Sequence, residues 1–116
     1  MRESRYWILF LASGVLMIVL LGIHLFLMHF GALAAYFGGS SEPLQFSAVI
    51  ARSNSITWKV TYMVLLILAL YHSLYGLRSI VLEVVNHPVG ERVLSWLILC
   101  VGVAALVYGG YAIILA

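Results

Sequence analysis

Three ionisable side chains, His24, His72 and Arg78, stand inside long apolar stretches of this 116-residue sequence. A lipid environment penalises such groups, so each marks a candidate for chemistry. An imidazole at that depth can ligate a metal, or it can hydrogen-bond a neighbouring helix and do nothing more. His72 lies in the string YHSLYGLRSIVLEV. At about 100° per residue, Leu65, Ala69, His72, Gly76, Ser79 and Glu83 fall on one stripe of a helix. Ala69 and Gly76 flank the histidine by one turn on either side, and small residues there open a groove beside the imidazole. Such a groove suits a flat macrocycle docking edge-on, and equally suits a close helix crossing without one. Arg78 lies off that stripe, and its long side chain can swing toward lipid headgroups or a buried carboxylate such as a haem propionate.

Long helices must position these residues, because the composition leaves little else. Hydrophobic residues make up 65% of the chain and charged residues 9%, and the mean hydropathy is +1.13. A water-soluble domain of this size carries far more surface charge. No formally charged residue occurs from Tyr6 to Ser41, more than the roughly 20 residues a helix needs to cross a bilayer. A first span is expected over about 6–35, ended by Gly38-Gly39 and Ser40-Ser41-Glu42-Pro43. A polar loop follows over 40–57, within which Phe46 to Arg52 (FSAVIAR) reads as a short interfacial helix. The second span runs over about 58–85 and is broken by Asn86-His87-Pro88; the third covers about 92–115. The expected fold class is therefore an all-α membrane protein of three transmembrane helices, a single membrane-anchor domain.

The first apolar stretch is too long for a signal-peptide core, so the helix is expected to stay in the mature protein. Trp7, Trp58 and Trp96 each fall near a span end, where indoles favour the headgroup region. Arg2, Arg5, Arg78 and Arg92 lie on the N-terminal side, against Arg52 and Lys59 opposite. That asymmetry places the N-terminus in the cytoplasm and the C-terminus outside. A net charge of +2 without a basic run gives no footprint for nucleic acid. Cys100, the one cysteine, lies in an apolar stretch and has no internal partner for a disulfide. No acid–base catalytic role is expected of the chain.

The histidines sit at different depths. His24 is about 28 Å along the first helix from Arg5, whereas His72 is about 9 Å along the second from Arg78. One iron with two axial imidazoles needs both nitrogens about 2 Å from the metal, so these two cannot share one iron. If both are ligands, two metal macrocycles are stacked across the bilayer and a partner supplies the opposite ligand of each. His29, about 140° round the helix from His24 and nearer the outer surface, is the weaker candidate, suited to water or a quinone headgroup. His87, beside Pro88, reads as a solvated loop residue.

The string H-S-L-Y-G-L-R-S-I-V-L-E (His72 to Glu83) resembles the H-x-x-x-G-[IL]-R-x-x-x-x-D signature of the small membrane-anchor subunits of succinate dehydrogenase, respiratory complex II. Ser13 to His24 is similar to their S-G motif followed ten residues later by a histidine, and FSAVIAR, Ser55 and Trp58 also agree. The resemblance covers roughly residues 10–85. It implies a heteromeric helical bundle formed with a second three-helix anchor subunit, which tethers an iron–sulfur subunit and a flavoprotein subunit at the inner membrane of the cell. It further implies b-type haem, two haems shared with the sister anchor, and electron transfer from succinate to quinone, menaquinone in the two-haem type. His72 and His24 match the axial ligands of two different haems. Gly76, Ser13 and Arg78 match macrocycle or propionate contacts.

Departures from the pattern bear on quinone. Leu11 stands where many relatives have an arginine, Glu83 replaces the signature aspartate, and Val84 replaces a tyrosine that helps bind quinone in some anchors. No quinone contact is assigned to this chain. Two other readings stay open: a haem-free anchor of the same complex, and an unrelated membrane scaffold or transport subunit.

Overall fold

A computed structural model describes residues 2–37 and 41–115, without the side chains of residues 2, 3 and 34. Five helices follow in order: α1 (Arg2–His29), α2 (Gly31–Tyr36), α3 (Phe46–Ser53), α4 (Ile56–Val84) and α5 (Pro88–Leu115). Within α1, Ser4–His29 forms the first of three helices long and apolar enough to cross a membrane, with α4 and α5 the others. Each is apolar around its whole circumference, so its backbone polar groups are satisfied within the helix and its side chains are free to face lipid.

The boundaries have local causes. The first helix is interrupted at Phe30, short of the expected limit of 35, although the Phe30 N–H still bonds the Phe26 carbonyl at 2.9 Å. At Gly31 the backbone of Ser41 lies so close that any side chain would run into the Ser41 carbonyl. The expected stop at Gly38-Gly39 and Ser40 lies outside the described residues. Helix α3 coincides with FSAVIAR and is tied down by Arg52, whose Nη2 donates to the Pro43 carbonyl at 2.6 Å. In that loop Gln45 Nε2 also donates to Glu42 Oε2. Helix α5 starts a turn earlier than expected. Pro88 takes the first helical position, where its missing N–H costs nothing, and His87 Nδ1 accepts the Val89 N–H at 3.2 Å. His87 is thus exposed, as expected, and also acts as a cap.

Helix α4 occupies the centre, packing against both α1 and α5. The residues that meet α1 include His72 and Gly76, while those that meet α5 include Leu66 and Leu74. These two sets lie on opposite sides of the helix. The α4–α5 seam sets leucines against glycines. A Cβ at Gly102 would lie 2.9 Å from Leu74 Cδ1, and one at Gly109 would lie 2.8 Å from Leu66 Cδ2. At the end of this seam Lys59 Nζ donates to the Ile114 carbonyl at 2.8 Å, satisfying a terminal carbonyl that has no partner within its own helix.

Among the described residues no large side chain is fully buried. The described helices meet along seams and leave most of their apolar surface outward, as lipid contact requires. Replacing Gly109 by leucine should destabilise the α4–α5 seam by about 1–3 kcal/mol. Gly109→Ala should cost less, because the atoms it meets end a flexible leucine. Thermal unfolding of the two variants in lipid nanodiscs checks that order.

Candidate functional site

Helices α1 and α4 run antiparallel, and their register brings Ser13 opposite His72 and His24 opposite Tyr62. The two imidazoles are ten residues apart in this register, about 15 Å along the helix axis. The different depths deduced for His24 and His72 are therefore built into the helix pairing.

His72 is held on three sides. Its Nδ1 lies 3.0 Å from the Phe10 carbonyl and 3.3 Å from Ser13 Oγ. A carbonyl only accepts, so the hydrogen bond requires Nδ1 to carry the proton, which leaves Nε2 with the lone pair of the neutral ring. Ser13, itself buried, donates to the same Phe10 carbonyl at 2.7 Å. The Phe10 ring stacks on the imidazole, with centroids 4.2 Å apart and planes within 5°. Gly14 lets the imidazole approach α1 closely, since a Cβ there would sit 2.9 Å from His72 Cε1. One helical turn on, the Tyr71 hydroxyl donates to the Tyr6 carbonyl at 2.8 Å.

Gly76 does adjoin the imidazole's surroundings, but the space it opens is taken by this chain: a Cβ there would lie 3.2 Å from Phe10 Cε2. Gly76 thus seats the ring that in turn orients His72. Phe10 could not be singled out from the sequence, and the role of Gly14 beside the imidazole could not be read from it. An aromatic residue and a glycine in an apolar stretch look the same whether they face lipid or a histidine. The S-G pair was the only local signal.

His24 has different surroundings. Its ring meets Tyr62 edge-on, at a centroid distance of 5.5 Å and an angle of 85°, and Trp58 lies tilted beside that tyrosine at 5.6 Å. His24 Nδ1 is buried and has no hydrogen-bond partner. A buried polar nitrogen left unpaired is costly, and the described residues of this chain offer it no hydrogen-bond partner. Among the described residues no cluster of three or more metal-ligating side chains occurs, so a metal here needs ligands from another molecule. His29 ends α1 and is exposed.

Arg78 is not brought to this seam. It stands on the other side of α4, where its Nε donates to Ser95 Oγ of α5 at 3.0 Å. Of the five residues expected at a cofactor, the structure gathers His72 and Ser13 directly, adds Gly76 through Phe10, and leaves His24 and Arg78 apart.

Gly14→Ala should push the His72 ring away from α1, because Phe10 blocks its retreat on one face. The expected loss is the Nδ1–H bond to Phe10, about 1 kcal/mol. Nitrogen-15 shifts of labelled histidine in the membrane-embedded protein should then show the Nδ1-protonated tautomer giving way to a mixture.

Residues 3–109 match the family described as succinate dehydrogenase/fumarate reductase transmembrane subunit. No curated protein and no solved structure matches the chain. The match reaches into all three membrane-crossing helices and includes the positions of Ser13, His24, His72 and Gly76. The chain belongs to the succinate dehydrogenase/fumarate reductase transmembrane subunit family, and it is a multi-pass membrane protein that works in association with other subunits of such a complex.

Proposed function

We propose that the chain ligates b-type haem through His72 and His24 at two levels of the bilayer and so supports electron transfer to quinone. The observation that carries this reading is the hydrogen bond from His72 Nδ1 to the Phe10 carbonyl. It fixes the tautomer and directs the lone pair to Nε2, which is what an outer partner does for a ligating histidine. The unpaired buried Nδ1 of His24 gives independent support at the second level. Bound haem would supply one-electron redox chemistry, tuned by its axial ligands and a low-dielectric shell. Phe10 holds the plane of the His72 imidazole, Gly14 leaves it room, and Ser13 competes with Nδ1–H for the same carbonyl. About 15 Å along the helix axis separates the two histidines, so each needs a second ligand from a sister anchor subunit.

In the same reading, an iron–sulfur subunit and a flavoprotein subunit dock at the end that carries Arg5, Arg78 and Arg92. That end faces the cytoplasm of a cell with this subunit in its inner membrane. Menaquinone is the proposed acceptor, in keeping with two haems. A haem-free anchor is the second reading, favoured by the Phe10 ring filling the space at Gly76.

A reduced-minus-oxidised spectrum of the purified complex separates the two. A b-type α-band is expected, and its absence leaves only the haem-free anchor. His72→Ala should remove one spectral component and His24→Ala the other. Either substitution erasing both from an intact complex would count against independent levels. Ser13→Ala frees the Phe10 carbonyl for His72, so redox titration should place the His72-linked haem at a lower midpoint potential than in the parent.

A further inference from the structure

On the side of α4 away from His72, a cleft of about 490 Å³ opens at one end of the α4–α5 seam. Its polar lining comes from Arg78, Glu91, Arg92, Ser95 and Trp96. Among the described residues neither arginine is in an ion pair, and Arg78 spends only its Nε, on Ser95. The remaining guanidinium N–H donors of Arg78 and all those of Arg92 stay available. With one carboxylate against two guanidinium groups, the cleft carries a net positive charge.

The cleft runs directly into an apolar groove along the same seam. Arg78 and Leu99 line both. The groove continues past Leu70, Leu74, Gly102 and Leu106 and has a volume of about 320 Å³. At its floor Gly102 lets Leu74 pack closely against α5. Depth matters here. Arg78 is six residues from the end of α4 and Arg92 is the fifth residue of α5. Both therefore lie within about 10 Å of the helix ends, the level of headgroups, and Trp96 stands beside them as an interfacial indole.

We propose that this composite surface binds an anionic phospholipid, its phosphodiester between Arg78 and Arg92 and an acyl chain along the groove toward Leu106. Charge decides the occupant. A neutral quinone has an apolar tail of suitable shape but offers the guanidinium pair no countercharge. A haem carboxylate has the charge, but the nearest candidate ligand, His72, faces the opposite side of α4, against α1. A phosphodiester supplies acceptor oxygens that match an arginine fork, and its diacyl chains already lie parallel to the helices. The excess of arginine at this end of the bundle would also concentrate anionic lipid around it.

The test uses the whole complex reconstituted in phosphatidylcholine vesicles with a trace of phosphatidylglycerol carrying a photoreactive group midway along an acyl chain. The label should land on α4 and α5 peptides spanning residues 67–75 and 98–106. Unlabelled phosphatidylglycerol should compete several-fold better than phosphatidylcholine, and added salt should weaken that preference. Neutralising each arginine, as Arg78→Gln and Arg92→Gln, should reduce the preference by about fivefold, while the paired Arg→Lys variants should keep most of it. Equal competition by the two headgroups in the unaltered complex overturns the proposal without any variant, as does label landing elsewhere. Displacement of the label by a short-chain quinone, or loss of a haem band in the glutamine variants, assigns the cleft to those molecules and overturns it too.

Discussion

A polar group in hydrocarbon must find its partner inside the protein, and in this chain that requirement decides how the helices pair. The backbone meets it by forming helices; the side chains meet it at the seams. His72 settles on α1 because the Phe10 carbonyl can accept its proton at 3.0 Å. A helical carbonyl already bonded along its own helix can take a second donor, having two lone pairs. Once that bond exists, the register of α1 against α4 is set. Tyr71 then reaches the Tyr6 carbonyl, Phe10 falls over Gly76, and His24 arrives opposite Tyr62. His24 receives no hydrogen-bond partner in the same register. One imidazole is thus satisfied within the chain and the other is not.

Much of the architecture was legible in the sequence because lipid selects for composition. Apolar stretches longer than a bilayer is thick leave little choice but helix, and the three spans stand out for that reason. The interruption at Phe30 was not legible. Nothing in LFLMHFGAL marks a break until the return of the chain to Gly31 is known, and that return is a tertiary event. The early start of α5 was closer to readable, since proline after a capping residue is a helix-start signal, but the preceding Asn86-His87 drew attention as a breaker instead.

The site was legible in its residues and less so in its pairing. His24 and His72 stood out as ionisable groups in apolar runs, and depth along the helix separated them. Helix periodicity could place Ser13 on one side of α1, yet it could not say which residue of α4 would face it. Arg78 shows the limit from the other direction. A long side chain near a helix end has several destinations, and α5 claimed this one through Ser95. Phe10 and Tyr62 escaped notice because aromatic residues recur throughout such helices, and only contact distinguishes those that orient a histidine.

The three long helices stand side by side, α1 and α5 on opposite flanks of α4, each held along a single line of contact. Panels joined this way, like a folding screen, have their angles set along those lines of contact alone among the described residues. Phe10, Ser13 and Gly14 at one height and His24 at another all hang from the same panel. A tilt of α1 against α4 would therefore disturb both imidazoles together, which makes the two levels one mechanical unit.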